Sequence, residues 1–303
     1  MTAATVALEA SQRRRRGQVY VALSAVAWST AGVLQRQLTL DTPTQVLGRA
    51  AFAGAALLGY VAIVERGRVL RAFRSIGLAG VAVALCVASA SASFIAALNH
   101  SSVARVLFIL AVSPVLAAVL ARATLGEPVT RRTVWAMGLA LAGITVMLGA
   151  PGEGSLAGDA LAFLAASSFA LMVVITRWRL DVSMAPATCL SQVILLVAFL
   201  PFADPGAIRD DDVGWLAALG IGQVGLGFAL LTVGARLIPA AQVGLIMLLE
   251  VVLGPLWVWL ALDERPNALT LVGGAIVIAA IVIQTRGAPP PEPDEEPVLP
   301  VPH

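Results

Sequence analysis

The sequence predicts an all-α integral membrane protein, with ten transmembrane helices arranged as two inverted five-helix repeats. Three observations support this fold class: the apolar composition, the number of apolar runs long enough to cross a bilayer, and the placement of arginine between them. Hydrophobic residues make up 59% of the 303 residues, charged residues make up 13%, and the mean hydropathy is +0.89. In a typical soluble domain about a quarter of the residues are charged. The composition therefore excludes a soluble fold, because so much apolar surface must face lipid.

A helix that crosses the hydrocarbon core of a bilayer needs about 20 mostly apolar residues. Ten runs fit this requirement, at residues 18–36, 44–64, 76–98, 103–122, 133–149, 156–176, 186–203, 213–235, 240–261 and 268–285. The loops between them are short and contain helix-breaking pairs such as Pro205-Gly206. Residues 1–17 form a basic N-terminal segment, and we expect the proline- and acid-rich tail at 286–303 to be disordered.

The 20 basic residues are all arginine, and they are distributed unevenly between the two ends of the predicted spans. With the N-terminus placed in the cytoplasm, the arginines that fall on the outer side are Arg36, Arg49, Arg105, Arg209 and Arg265. All the others fall on the cytoplasmic side, as in membrane proteins whose cytoplasmic loops carry an excess of basic residues. We therefore expect a multi-pass protein of the bacterial inner membrane with both termini in the cytoplasm.

Two segments of the chain resemble each other. Residues 125–128, Leu-Gly-Glu-Pro, follow the fourth predicted span, and residues 262–266, Leu-Asp-Glu-Arg-Pro, follow the ninth. Aligning Glu127 with Glu264 places Ser113 opposite Glu250, and a glycine-bearing helix follows each turn. The similarity predicts that the chain is built from two copies of one unit.

The two predicted repeat units are residues 18–149 and residues 156–285. Each contains five spans, which is an odd number, so the second unit must enter the membrane in the opposite orientation to the first. Inverted repeats with a site near the membrane midplane between them are the structural basis of alternating access in many transporters.

Further short motifs occur in a fixed order along the predicted spans. Residues 97–104, Ala-Leu-Asn-His-Ser-Ser-Val-Ala, precede the fourth span, and Pro114 lies within it. Trp28 and Arg49 lie in the first and second spans, and the two acidic turns follow the fourth and the ninth. Together these features resemble the EamA-type members of the drug/metabolite transporter superfamily.

The resemblance implies a secondary transporter that moves a small metabolite across the inner membrane by alternating access. The resemblance implies export or import, often with proton or exchange coupling, but it does not identify the substrate, because members of the family handle amino acids, sugars, nucleobases and drugs. We expect an amino-acid-like or other small polar or amphipathic solute that is moved out of the cell. Members of the family often have proline directly after the glutamate of the ninth span. Here that residue is Val251, and a Gly254-Pro255 pair follows one turn later, so we expect the helix break to be displaced.

Glu250 is the clearest candidate for a functional residue. Counted from Ala240 at 1.5 Å per residue, it lies about 15 Å into the bilayer. Ionisable residues at that depth are costly and usually face the interior of the helix bundle. Glu250 is therefore predicted to bind a substrate cation or to couple transport to protons. The alternative is a permanently protonated glutamate that makes one interhelical hydrogen bond.

Trp28, Arg49 and Gln223 are the other candidate substrate-binding residues. Trp28 and Gln223 reach a depth similar to that of Glu250, although such side chains also commonly bond across packed membrane helices. Arg49 lies about 7 Å inside the outer edge of the second span. It is predicted to bind an anionic group of the substrate, and snorkelling to the surface is the competing account. His100, at a loop edge, is not expected to be a ligand.

Glu127 and Glu264 are predicted to be structural, because each precedes a helix start where a carboxylate can bind free backbone amides. Small residues are predicted to let helices approach closely; they include Gly54, Gly59, Gly138, Gly143, Gly220, Gly222, Gly225 and Gly227. The Gly220-x-Gly222-x-x-Gly225 run imitates a dinucleotide-binding fingerprint, but no strand precedes it.

Two alternatives remain open at this point: a lipid-modifying membrane enzyme, which is a different class of function, and a lipid-precursor flippase, which is a variant of the transporter. An enzyme would need a cluster of nucleophile, base or metal ligands, and neither His nor Cys occurs with metal-ligand spacing. We therefore expect no catalytic residue, no metal and no cofactor. The expected partners are a small-molecule substrate, the lipid bilayer and protons, with homodimerisation left open and no nucleic acid.

Overall fold

The computed structural model describes residues 3–35, 37–101, 103–149, 155–263 and 266–286. Every regular element within these ranges is a helix, which confirms the predicted all-α class. The tail predicted to be disordered lies, after Arg286, outside the described residues, as do Arg36, Glu264 and Arg265.

The first half begins with a long helix that starts well before the predicted span at residue 18, so the basic segment 1–17 is largely helical. The α-helices of this half are α1 (Ala3–Ser29), α2 (Ala31–Gln35), α3 (Thr42–Val64), α4 (Val69–Ser75), α5 (Gly77–His100), α6 (Val103–Leu110), α7 (Ser113–Leu125) and α8 (Arg131–Leu148).

The second half repeats this order. Its α-helices are α9 (Leu156–Trp178), α10 (Ala185–Phe199), α11 (Asp210–Ala217), α12 (Leu226–Gly234), α13 (Ala240–Met247), α14 (Leu249–Leu262) and α15 (Ala268–Arg286). Two short 3₁₀ turns, Leu200–Phe202 and Pro205–Ala207, follow α10. A π-helical segment, Ala218–Gly225, joins α11 to α12 in one continuous rod.

Within the described residues, nine helices or contiguous helix groups are long and apolar enough to cross a membrane. They correspond to nine of the ten predicted spans. The remaining predicted span is α8, which has 18 residues and begins with Arg131 and Arg132. Its length at 1.5 Å per residue is about 27 Å, slightly less than the roughly 30 Å of a hydrocarbon core. The protein is a multi-pass membrane protein, and the count of ten spans stays a prediction.

The fourth and ninth spans are both broken, and the breaks fall at matching positions. The alignment that pairs Glu127 with Glu264 also pairs α6 with α13, residue for residue. It further pairs Gly126 (φ 67°) with Asp263 (φ 55°), the left-handed residues at which α7 and α14 end. At each break the α-helical bonding gives way to tighter i→i−3 hydrogen bonds, Val112 N–H to Ile109 O and Leu248 N–H to Leu245 O. The repeat therefore extends from sequence to backbone.

The ninth-span break lies at Leu248, before Glu250. The expectation of a break displaced toward Gly254-Pro255 was wrong, because both residues lie inside α14. Pro255 lacks an N–H and so leaves one helical carbonyl without its bond, but the helix continues through it. In the fourth span, Pro114 in the first turn of α7 explains the corresponding break; the chain offers no comparable residue at Leu248.

The last helices of the two halves, α8 and α15, pack antiparallel. Gln284 near the end of α15 donates to Thr133 near the start of α8 at 3.1 Å, and Thr270 near the start of α15 donates to the carbonyl of Met147 near the end of α8 at 3.5 Å. Since α8 and α15 are equivalent helices of the repeat, their antiparallel packing means that the two halves are inverted.

The first helix of each half packs against helices of the other half. α1 packs against α12, α13 and α14 of the second half, whereas α9 packs against α5, α6 and α7 of the first. We name these groups the α1 bundle and the α9 bundle. α3 packs on the π-helical segment and joins the α1 bundle, while α10 packs on α5 and joins the α9 bundle. α3 and α10 also pack extensively on each other, across the boundary between the bundles. The packed units are therefore not the sequence halves.

The two bundles meet where helices pass close together. A Cβ on Gly244 of α13 would lie 2.7 Å from Pro114 Cα of α7, and one on Gly54 of α3 would lie 3.4 Å from Gln192 Cβ of α10. Of the other glycines predicted to allow close approach, Gly143, Gly220, Gly225 and Gly227 do so. The prediction was wrong for Gly59, Gly138 and Gly222, where an added Cβ meets nothing within 4 Å.

The contact between α8 and α15 gives a test of this packing. A Cβ on Gly273 would collide with the backbone of Gly143 and Met147, so Gly273→Val should lower the free energy of unfolding by about 1–3 kcal/mol through overpacking. Denaturant unfolding of the purified protein in detergent would measure the loss. Gly138→Val, on the open face of α8, is the matched control, and an equal loss in both variants would contradict the close contact.

Candidate functional site

Trp28 lies where three spans converge. Its ring packs edge-to-face against Phe228 of α12, at 5.0 Å between centroids, and against Phe169 of α9, at 6.0 Å. The indole Nε1 is buried against Gly227, where a Cβ would collide with it, and has no hydrogen-bond partner among the described residues. Buried indole N–H groups are usually paired, so Trp28 is an unsatisfied donor in this conformation.

Gln223 lies one turn before Gly227 on the same rod, inside the π-helical segment. It is buried, and its Oε1 has no partner in the described part of the chain. Residues four apart on a helix share a face, so Gln223 lies on the side of the rod that meets Trp28. Short π-helical segments frequently occur at functional sites, because they shift side chains out of the regular α-helical register.

Glu250 lies in the first turn of α14, directly after the ninth-span break. Its side chain is half-buried and makes no hydrogen bond or ion pair with any described residue. Gly254, one turn further on, approaches the carbonyl of Ser29, and Trp257 Nε1 donates to Ser29 Oγ at 2.8 Å. Because these residues follow Glu250 at helical spacing, the face of α14 that carries Glu250 is turned toward the end of α1, next to Trp28.

Arg49 lies on α3, which packs against the π-helical segment. Its carbonyl oxygen would lie 2.7 Å from a Cβ on Gly220, so the backbone at Arg49 is in direct contact with the segment that carries Gln223. The Arg49 side chain is half-buried and has no hydrogen-bond or ion-pair partner among the described residues. The structure thus places all four predicted site residues on helices of the α1 bundle.

Glu127 joins the two bundles at the end of the molecule where the loops are rich in arginine. One carboxylate oxygen accepts from Arg177 of α9 at 2.6 Å, and the other accepts from the backbone N–H of Ala240, the first residue of α13, at 3.0 Å. Arg177 also donates to the carbonyl of Arg236 at 3.4 Å. Glu127 therefore caps a helix start, but one in the other half of the chain rather than the helix that directly follows it.

At the opposite end, Arg105 of α6 forms a two-pronged ion pair with Asp159 of α9, with both nitrogen–oxygen distances at 2.6 Å. This bidentate pair makes Arg105 a structural residue. The side chain of His100 is exposed, and its carbonyl accepts from the N–H of Ser155 at 3.2 Å.

Sequence reasoning missed several of these features. Gln242 of α13 is buried, and its Oε1 is without a partner in the described ranges. The Ser29–Trp257 bond and the partners of Glu127 join residues far apart in the chain, so no local pattern indicates them. The repeat could have predicted the ninth-span break, since Pro114 marks its counterpart.

Among the described residues, no group of three or more His, Cys, Asp or Glu could hold a metal ion.

Comparison with known proteins matches the chain along almost its whole length. A family model described as the EamA-like transporter family matches residues 15–149 and, a second time, residues 156–286. A relative from Archaeoglobus fulgidus, named an uncharacterized transporter, is 27% identical over 282 residues, which are 90% of this chain and 97% of the relative. A solved crystal structure has a TM-score of 0.77 at 20% identity and covers 89% of this chain and 96% of its own, which shows a shared fold.

The contacts of Glu127 predict a measurable effect on stability. Glu127→Ala removes the ion pair with Arg177 and the cap on Ala240, so the free energy of unfolding should fall by about 1.5–3 kcal/mol, as expected for hydrogen bonds to a charged group. Glu127→Gln, which can still accept from Ala240, should lose less. Asp181→Asn is the control, because the Arg179–Asp181 pair lies at the surface and its loss should leave unfolding in detergent unchanged. A neutral Glu127→Ala variant would show that these contacts do not hold the bundles together.

Proposed function

Because the chain belongs to the EamA-like transporter family, part of the drug/metabolite transporter superfamily, it is a membrane transporter, and we propose that it exports a small amino-acid-like metabolite by alternating access. The membership points to a transporter rather than an enzyme. The proposed substrate is a polar or amphipathic solute that carries a protonated amine. Efflux through the inner membrane, coupled to protons or to exchange, is the proposed direction and energy source.

The observation that carries this proposal is the unpaired carboxylate of Glu250. A glutamate kept only for an interhelical hydrogen bond would have a partner in the packed structure, and Glu250 has none among the described residues. Leaving such a group unpaired inside a membrane protein is costly. The cost is accounted for if a substrate cation or a proton binds there during the transport cycle.

The other unpaired groups around the site fit the same class of substrate. Gln223 offers a buried acceptor, and Trp28 offers a buried donor. A protonated amine donates hydrogen bonds and suits Glu250 and Gln223, whereas a carboxylate or carbonyl accepts them and suits Trp28. Arg49 is a second candidate partner for a substrate carboxylate, because guanidinium binds carboxylates with matched geometry. An amino-acid-like solute combines both kinds of group.

Alternating access also fits the contacts between the two bundles. Opening the arginine-rich end requires α7 and α13 to separate there, and the Glu127 cap on Ala240 is the bond that this movement would break. The breaks at residues 111–112 and at Leu248 lie in the two helices that cross at Gly244 and Pro114. Helix breaks at the site and rocking of packed units around it are typical of inverted-repeat transporters.

We further propose that the arginine-rich end faces the cytoplasm, with both termini on that side of the bacterial inner membrane. The arginine excess in the short loops supports this orientation. Glu127 would then close the cytoplasmic end, and the Arg105–Asp159 pair would lie at the periplasmic end.

Transport is tested with the purified full-length protein in liposomes. Radiolabelled amino acids and amines are supplied as a panel, with and without a pH gradient, and counterflow is measured for each. Saturable movement of at least one amine-bearing solute supports the proposal. If no member of the panel moves under any gradient while the protein remains folded, the proposed substrate class is wrong.

Glu250→Gln should abolish or uncouple transport of that solute, because the amide can neither bind a proton in the cycle nor form an ion pair with an amine. The expected change is a loss of at least tenfold in initial rate, with thermal unfolding unchanged. Glu65→Gln, at the end of α3 and outside the site, is the matched control. Wild-type rates in Glu250→Gln would make Glu250 a packing residue.

Arg49→Gln separates binding of a carboxylate from snorkelling. If Arg49 binds the carboxylate of an amino-acid substrate, the variant should raise KM for the amino acid about tenfold or more, because one hydrogen bond to a charged group is lost. KM for the matching decarboxylated amine should stay unchanged. Equal KM changes for both substrates would contradict the assigned role.

A further inference from the structure

One side of the bundle carries an apolar groove that lies away from the transport site. The groove runs between α7 and α8 and encloses about 660 Å³. Its lining includes Val115 and Val119 of α7 and Val134, Gly138 and Leu141 of α8, together with a single charged residue, Arg122. No residue assigned to the transport site lines it.

The groove faces outward rather than toward another helix. Val119 and Val134 are 59% and 58% exposed, and a Cβ on Gly138 would meet nothing within 4 Å. In a bilayer such a depression is filled by acyl chains, since water does not enter the hydrocarbon region. From Arg122 to Val115 the groove extends about 10 Å along α7 at 1.5 Å per residue.

The end of the groove at Arg122 is positively charged. Arg122 lies in the last turn of α7, is exposed, and has no hydrogen-bond or ion-pair partner in the described part of the chain. Arg131, also exposed, begins α8 just across the turn. The N-terminus of α8 adds the positive end of its dipole. The nearby carboxylate of Glu127 does not offset this charge, because it is already bound to Arg177 and to Ala240.

The depth of this charged end is marked by Trp135. It follows Arg131 by one turn, and it is 78% exposed. Exposed tryptophans of membrane proteins are concentrated at the membrane–water interface. The arginines therefore lie at the level of the lipid headgroups, while the apolar part of the groove descends into the hydrocarbon.

We propose that this groove is a binding site for an anionic glycerophospholipid of the surrounding bilayer. One acyl chain lies along the groove, and the phosphodiester lies between Arg122 and Arg131 at the start of α8. A headgroup such as glycerol adds no positive charge and is accepted. Choline brings a fixed positive charge toward the two guanidinium groups and is disfavoured, so charge decides which lipid binds.

Lipid retention measured by native mass spectrometry tests the proposal. The full-length protein in detergent is mixed with phosphatidylglycerol or with phosphatidylcholine of the same acyl chains. The wild type should retain phosphatidylglycerol at least fivefold better. Arg122→Gln together with Arg131→Gln should remove most of this preference, since each basic residue at the headgroup level contributes roughly fivefold. Glycerol phosphate without acyl chains should not compete, which separates a lipid from a free phosphate.

Two further variants test the apolar part of the groove. Gly138→Leu should fill it without striking another helix, and so should reduce retention of phosphatidylglycerol while thermal unfolding stays unchanged. Gly59→Leu, on an open face of α3, is its control, and Arg71→Gln, an exposed arginine of α4, controls for net charge. Arg122→Lys should keep most of the preference if the double variant unfolds. Equal retention of the two lipids by the wild type, or unchanged retention in the groove variants, would overturn the proposal.

Discussion

Lipid offers no hydrogen bonds, so every backbone amide and carbonyl in the hydrocarbon region must find its partner within the protein. This constraint explains why the described chain consists of helices joined by short turns. It also restricts where the helices can break. The interruptions at residues 111–112 and at Leu248 lie in helices that cross at Gly244 and Pro114, so the irregular backbone is covered by protein. A helix break inside a membrane is tolerated only where it is buried or lines a cavity, and here it adjoins Glu250.

The exchange of the first helices follows from the inverted repeat and determines which parts can move. α1 packs into the second half and α9 into the first, so neither half can rotate without taking along a helix of the other. In the proposed alternating access, the boundary for motion lies between the α1 bundle and the α9 bundle. Along this boundary α3 packs on α10, Gly244 packs on Pro114, and the Glu127 cap joins the bundles at the arginine-rich end. The hydrophobic core is continuous across this boundary, so a movement between the bundles must rearrange apolar contacts as well as break the Glu127 cap.

Much of the fold could be predicted from the sequence because its determinants are local. Composition indicates a membrane protein, and the turn at Glu127 reveals the repeat. Apolar runs locate the spans to within a few residues except at the first, where α1 begins at Ala3 rather than near residue 18. The site could be predicted only in part. Glu250 is conspicuous because a charge at that depth is costly wherever it occurs. The edge-to-face packing of Trp28 on Phe169 and Phe228, in contrast, depends on helices far apart in the chain.

The structural role of Glu127 shows the same limit. A carboxylate before a helix start is correctly predicted to cap, but local reasoning assigns it to α8, the next helix. The amide it binds belongs to Ala240, which is brought close only by the crossing of α7 and α13. The π-helical segment at Gln223 is likewise invisible in the sequence, because its glycines favour close packing against α3 without indicating a change of helical register.

The two halves match in backbone and differ in chemistry, and this difference bears on the proposed alternating access. The alignment of Glu127 with Glu264 pairs Glu250 with Ser113, and it pairs Gln242, whose Oε1 is unpartnered, with Arg105, which is held by Asp159. A perfectly symmetric inverted repeat would give its two access states equal energy. Here the second half supplies the carboxylate at the site, and the first half supplies Arg105, which is held at one end of the molecule by Asp159 of the second half. A ligand that binds Glu250 can therefore favour one access state over the other, because it interacts with groups that have no counterpart in the other half.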